Sequence, residues 1–333
     1  MDDESWTRNE YGGFLPLELN SGKEFFEEYN QMLLRFNSVK ASLAYLLDRI
    51  SCKKIYVPYY YCPSTSDAIQ RTGVDICYYH IDEGLIPIDI TDEKESCVLL
   101  VDYFGVRSEQ IDAFAKSFKY AEVVIDRAHS FYTEPIMGQH IHNVYSAKKF
   151  FGVPDGSYLI SMNTVDLRQI PTEAYTYAGY LIRAYEEGTD AAYIMKKEAD
   201  KILADNYNCM SKLAVGLLKN VDYEWVAERR GKNYRIFHDI FRNINGLELP
   251  DECIAYQYPL LIREKGLQIK RKLIEDKIFV STLWSGENLL NNGNGFELDM
   301  SKHCIFLPID QRYNESDIRY IARKVKVFMD EDS

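Results

Sequence analysis

Short runs of β-branched and aromatic residues recur through the first half of the chain: KKIYVP at 53–58, DICYYHI at 75–81, CVLLVDYF at 97–104 and EVVID at 122–126. Helix-like stretches such as STSDAIQRTG and SEQIDAFAKSF lie between them. Strand starts spaced about 20 to 30 residues apart suit a βαβ repeat, so the pattern predicts parallel strands joined by crossover helices. Upstream, RFNSVKASLAYLLDRI at 35–50 reads as a helix capped by Asn37 or Ser38, with apolar residues at helical spacing from Val39. SYLISM follows Gly156 as a further strand, and a mainly helical region runs from 164 to 245. AYQYPLLI, a helix at 265–276, IFVSTLW, CIFLPI and a closing helix from Glu315 to Met329 complete the chain. The expected fold class is α/β: a large domain over 1–221 built on a mostly parallel sheet, and a smaller α+β domain over 222–333.

In such sheets ligands gather beyond the carboxyl ends of the strands. Asp102, Asp126 and the tract from Pro58 to Cys62 all fall at such ends. The stretch VVIDRAHSFYTEPIMGQHIHNVYSAKKFFGVPDG, 123–156, ends one apolar run in Asp126, places His129 three residues on, and ends the next run in Ser146, Lys148 and Lys149. A carboxylate closing a buried strand is costly unless it meets a cation or several donors. A protonated pyridine ring is such a cation.

Pyridoxal 5'-phosphate makes four demands on a protein: a lysine for its aldehyde, a carboxylate for its ring nitrogen, donors for its phosphate, and a flat or apolar face for its ring. Lys149, three residues after Ser146, meets the first, with the serine hydroxyl turned toward phosphate and Lys148 pointing elsewhere. Asp126 meets the second, and His129 can donate to the ring's phenolic oxygen. The helix start at Asn37, Ser38, Val39 and Lys40 offers backbone amides and a favourable dipole for phosphate, with side-chain contacts from Ser38 and Lys40. Among Tyr59, Tyr60 and Tyr61, one ring can lie against the cofactor. Taken singly each feature has a plainer reading: surface lysines before a glycine turn, a core histidine, a capped helix, an aromatic strand end.

Composition narrows the classes. The net charge of -12 and pI near 5.1 argue against nucleic-acid or anionic-membrane surfaces, which need clustered cations. No run reaches the roughly 20 apolar residues of a bilayer span. The start MDDESWTRNE lacks the basic region and apolar core of a secretory leader, so a cytoplasmic location is expected. Seven cysteines, scattered and never in a C-x-x-C pair, suit reduced thiols. His140 and His142 alternate on one strand face, where solvation or backbone bonding is expected rather than a metal. Arg229 and Arg230 read equally as an anion-steering pair and as a solvated helix face. The S-x-x-K order also opens the penicillin-binding signature, but the companion S-D-N and K-T-G motifs are absent.

Together these segments resemble the DegT-type sugar aminotransferases, within the fold-type-I pyridoxal-phosphate-dependent transferases. FNSVKASLAYLL is similar to that family's S-G-T-x-A-L helix start, VPYYYCPSTSDAI to its V-P-x-x-x-x-x-x-T-x-x-A-I run, and VIDRAHS to its D-x-A-Q segment. YSAKKFFGVPDGSYL matches its K-x(6)-G-G frame, and ERRGKNY, AYQYPLLI and FLPIDQRYNESDI resemble its later motifs. The resemblance implies a three-layer αβα large domain, Lys149 as Schiff-base lysine and proton shuttle, Asp126 at the pyridine nitrogen, and His129 in the place of a glutamine near the phenolic oxygen. It places Ser38, Val39 and Lys40 at the phosphate. It further implies amino transfer from a donor such as glutamate to a keto acceptor such as a nucleotide-linked sugar, in a homodimer with pockets near the interface. The departures are Val39 and Lys40 for Gly and Thr, Cys62 for the stacking aromatic, and DNYNCMS one residue out of step with N-Y-R-M. Tyr60 and Tyr61 are then the substitute stacking rings, and Asn206 or Asn208 the candidate partner-chain asparagine. Elimination or decarboxylation is the competing chemistry; intact Asp126 and Lys149 weigh against a non-catalytic binding protein.

Overall fold

The computed structural model describes residues 11–163, 172–204 and 208–331. Its first half contains β1 (Leu33–Phe36), α1 (Val39–Leu47), β2 (Lys54–Pro58), α2 (Pro63–Gln70), β3 (Asp75–Ile81), β4 (Pro87–Ile88), β5 (Ser96–Val101), α3 (Ser108–Ala115), β6 (Glu122–Arg127), β7 (Ile141–Ser146) and β8 (Ser157–Ser161). The eight strands form one sheet in the order β1-β8-β7-β6-β5-β2-β3-β4. Its middle five, β7-β6-β5-β2-β3, are parallel, and antiparallel strands close both edges. β5 is buried along its whole length, as the uninterrupted apolar run SCVLLV requires of a strand covered on both faces.

Chain order reverses between β2 and β5, since β3 lies on one side of β2 and β5, β6 and β7 follow on the other. A crevice forms beyond the strand ends at such a switch point. The loops after β2 and β5 and the ends of β6 and β7 therefore share one rim. Gly105 holds that rim close: its φ is +79°, and a Cβ there would come within 2.8 Å of the His129 carbonyl.

The helix expected within 35–50, with its cap at Asn37 or Ser38, is α1, which ends at Leu47. Residues 33–36, ahead of the cap, form β1, a strand the sequence pattern does not announce because only its antiparallel pairing with β8 defines so short a run. Ser38 is the cap, its Oγ accepting the Ala41 N–H at 3.2 Å.

The remainder holds α4 (Gly179–Glu187), α5 (Tyr193–Ala204), α6 (Lys212–Leu218), α7 (Tyr223–Phe241), β9 (Tyr258–Leu261), α8 (Gly266–Glu275), α9 (Glu287–Asn292), α10 (Gly295–His303), β10 (Cys304–Leu307) and α11 (Glu315–Asp330). β9 and β10 pair antiparallel. IFVSTLW does not become a strand; Ser281 makes a single bridge to Phe306 and the chain then carries Trp284 inward. α7 starts one residue past the expected boundary, yet one apolar core runs across it, with Phe104 against Phe306 at 4.8 Å and Tyr60 against Trp284 at 5.3 Å between ring centres. A second, aromatic cluster of Phe26, Phe131, Tyr145, Phe150, Phe151 and Tyr158 underlies the turn after β7. Among the described residues no helix is long and apolar enough to cross a membrane.

Candidate active site

Asp126 closes β6 and is almost fully buried. Its Oδ1 accepts the Ala128 N–H at 2.8 Å, and its Oδ2 accepts the Tyr61 hydroxyl at 2.5 Å. Burial pushes its pKa above the ordinary carboxylate range; the Tyr61 bond, the Ala128 amide and the Lys149 charge oppose that rise, while Asp102 adds to it.

Lys149 ends the single 3-10 turn that follows β7, one strand away from Asp126. Its Nζ lies 5.1 Å from the centre of the Tyr256 ring, and among the described residues no carboxylate stands within ion-pairing distance of it. The Tyr256 phenol, and behind it Cys62, Asp126 and Asp200, hold the amine above the ordinary lysine value against the opposing effect of burial. Lys148 turns the other way and pairs with Asp200 of α5 at 2.8 Å.

His129 is buried inside an aromatic stack, nearly parallel to Tyr256 (4.7 Å, 12°), Trp284 (5.5 Å, 8°) and Phe104 (5.8 Å, 20°). Burial, reinforced by the Lys149 charge, depresses its pKa well below the usual histidine value, so the ring is neutral. Its Nδ1 has no hydrogen-bond partner among the described residues.

The start of α1 lies beside the Lys149 turn. Gly156 donates its N–H to the Asn37 carbonyl (3.1 Å), and Ala147 donates to the Gly156 carbonyl (3.1 Å). Ser157, opposite Ser146 in the β7–β8 ladder, shares a 2.8 Å hydrogen bond with Ser42 of α1. Ser38, Val39, Lys40 and Ser146 are thereby gathered near one another. Asn37 also donates its N–H to the Asn208 carbonyl (2.9 Å), so Asn208 stands at this helix start in its own chain; Asn206 lies outside the described residues.

Tyr60 departs from the expected stacking role. It is fully buried, its hydroxyl donates to the Leu283 carbonyl and its ring stacks on Tyr103 (5.6 Å), so that it is taken up by the core. Tyr61 points its hydroxyl at Asp126 and meets Trp284 edge-on (6.0 Å, 64°). His140 bonds the Phe118 carbonyl, and His142 bonds Ser161 and Glu122; no metal-binding group of three or more ligands occurs among the described residues.

Arg230 is the residue that sequence reading undervalued. It is buried, and it donates to the Phe150 carbonyl beside Lys149 (3.3 Å), to the Ala255 and Tyr256 carbonyls (3.2 and 3.0 Å) and to Gln311 Oε1 (3.1 Å). Gln311 also donates to Phe150 (2.9 Å). This clamp joins the Lys149 turn to the loop that carries Tyr256. A signal was present: Arg230 sits on the buried stripe of α7 with Val226, Asn233, Tyr234, Phe237 and Phe241. Arg229 faces out against Trp225.

The residues fit a pyridoxal-type cofactor. An ammonium without a carboxylate partner, an unpaired imidazole nitrogen and a carboxylate with unused lone pairs converge among aromatic faces, beside a helix start with free amides.

No family model matches the chain, and no curated protein sequence matches it. Solved structures do. A DegT DnrJ EryC1 StrS aminotransferase from Brucella abortus is 15% identical with TM-score 0.62, over 91% of this chain and 88% of that one. PseC of Helicobacter pylori, an aminotransferase of pseudoaminic acid biosynthesis, is 14% identical with TM-score 0.59, over 92% and 89%. The E. coli GDP-4-keto-6-deoxy-D-mannose-3-dehydratase with bound hydrated PLP is 16% identical with TM-score 0.62, over 90% and 89%. At such identities the likeness establishes the fold: this chain has the α/β fold of these enzymes.

Proposed function

We propose that the chain is a pyridoxal-phosphate-dependent aminotransferase, a divergent DegT-type member, that moves an amino group from a donor such as glutamate to a keto acceptor, a nucleotide-linked keto sugar being the acceptor class. The observation that carries this reading is the convergence of Asp126 and Lys149, from the ends of adjacent parallel strands, on one aromatic-lined rim. The fold shared with sugar aminotransferases supports it. Bound there, pyridoxal phosphate supplies an aldehyde and an electron-withdrawing ring.

Asp126 accepts the ring N–H and keeps that nitrogen charged. His129, held neutral, offers Nδ1 toward the phenolic oxygen, with a proton if that tautomer is present. Ser38, Lys40, Ser146 and the Val39 amide hold phosphate at the start of α1. Lys149 would be the residue that holds the cofactor's aldehyde, and its Nζ, once free, would move the proton between the donor's α-carbon and the cofactor's C4' carbon, and back again with the acceptor. A base so placed contributes roughly 10²- to 10⁴-fold in rate. The aromatic rim of Tyr61, Tyr256 and Trp284 excludes water from this transfer. The reading includes a homodimer acting in the cytoplasm and domains over 1–221 and 222–333.

Absorption spectra before and after glutamate test the proposal. Purified protein reconstituted with pyridoxal phosphate should show a visible band, and glutamate should bleach it as the cofactor takes the amine. A dehydratase of this fold keeps elimination as the second reading. A keto sugar that restores the bleached band with loss of its hydroxyl and release of ammonia, and with no amino sugar as product, would favour it.

A further inference from the structure

Asp126 must be charged to hold a protonated ring nitrogen, and its setting works against that charge. The carboxylate is sealed from solvent, and Asp102, at the neighbouring strand end, repels it. The groups that favour the anion are the Ala128 N–H on its own loop, the Lys149 amine across β7, and the Tyr61 hydroxyl. Tyr61 makes the shorter of the two hydrogen bonds. It arrives from the loop after β2, 65 residues away in sequence, with its ring fixed edge-on against Trp284 and its hydroxyl 2.5 Å from Oδ2. Burial keeps the phenol protonated well beyond the ordinary tyrosine range, so it is a permanent donor.

We propose that Tyr61 is a positioning residue of this site: through its bond to Oδ2 it orients the Asp126 carboxylate and holds it as the anion that the ring nitrogen requires. The inference rests on the proposed cofactor chemistry and assigns Tyr61 an anchoring role in place of ring stacking. A carboxylate has about four lone-pair sites and Asp126 spends two, so the phenol and a ring N–H can be accepted together.

The test uses the full chain, stripped of cofactor and titrated with pyridoxal 5'-phosphate, as the parent, Tyr61→Phe, Asp126→Asn and the double variant. Ring-nitrogen protonation is read from the ¹⁵N shift of labelled cofactor. Loss of a hydrogen bond to a charged group predicts that Tyr61→Phe weakens binding about tenfold or more and moves the shift toward the unprotonated value. In the Asp126→Asn background the same change should cost less than about twofold, because the two residues act as one unit. An unchanged shift in Tyr61→Phe, or an equal loss of affinity in both backgrounds, overturns the assignment while leaving the cofactor reading intact. A parent chain that binds no pyridoxal phosphate overturns both.

Discussion

His129 gives the sharpest test of the site's electrostatics, because it can be made without cofactor. Buried among Tyr256, Trp284 and Phe104 and facing the Lys149 charge, its ring is neutral in the fold, whereas in the unfolded chain it titrates near the ordinary value of about 6.5. A depressed folded pKa means that the unfolded state binds the extra proton first. The stabilising contribution is therefore complete above about pH 6.5 and is lost as pH falls from there toward the folded pKa. The slope is about 1.4 kcal/mol per pH unit, so descending to pH 5 costs the parent roughly 2 kcal/mol that a non-titrating residue would not lose. Urea unfolding of stripped parent and His129→Gln at pH 7.5 and pH 5.0 isolates the effect, because the other titrating groups cancel between the two proteins. The parent should lose about 2 kcal/mol more than the variant over that interval. A difference below about 0.5 kcal/mol would mean that the imidazole charges inside the fold, and the account of a dry aromatic slot would be wrong.

Two further outcomes follow from the same geometry. Lys149→Ala should abolish both turnover and the visible band of the reconstituted protein; a yellow, active variant refutes the lysine's role. Arg230→Met removes four donated hydrogen bonds, leaves the Ala255 and Tyr256 carbonyls orphaned and leaves Phe150 with Gln311 alone, for a loss of about 2 to 4 kcal/mol in urea unfolding. A loss under about 1 kcal/mol would reduce Arg230 to a dispensable packing residue.

The parts of this site that lie close in sequence were legible there. Asp126 ends an apolar run, Ser146 and Lys149 follow the next run, and Ser38 precedes a helical repeat; each is a local signal with a local cause. The strand over 122–126 lies where its apolar run does, because a central parallel strand is covered on both faces, and the run over 75–81 also forms a strand although it lies next to the sheet edge and is only partly buried. The partners were not legible. Tyr61 reaches Asp126 only because β2 and β6 flank β5, and nothing in Tyr59-Tyr60-Tyr61 says which hydroxyl turns to the rim and which to Leu283. Tyr256 and Trp284 come from the far end of the chain and meet His129 through packing alone. β1 went unassigned because its pairing with β8 spans more than 120 residues.

Buried charge separates scaffold from site. At the opposite ends of the strands, Lys53–Glu95 and Lys54–Glu93 are solvated pairs of the kind that contribute little. At the rim the charges are buried, and most are closed within the protein. Arg127 is fully enclosed by Asn143, Asp102 and Asp112; Asp155 takes three donors from Ser211 and Tyr177; Arg230 spends itself on carbonyls. Such networks cost desolvation energy, and replacing them by apolar residues is often neutral or better for stability, so stability alone does not explain them. They fix backbone: Arg127 the end of β6, Asp155 the loop after the lysine, Arg230 the turn between. Lys149 is half-buried and His129 buried, and among the described residues the amine has no paired carboxylate and the His129 Nδ1 no hydrogen-bond partner. On the proposed reading, an amine with no paired carboxylate beside an imidazole nitrogen with no partner suits a group that brings an electrophilic carbon for the one and an electron-rich oxygen for the other.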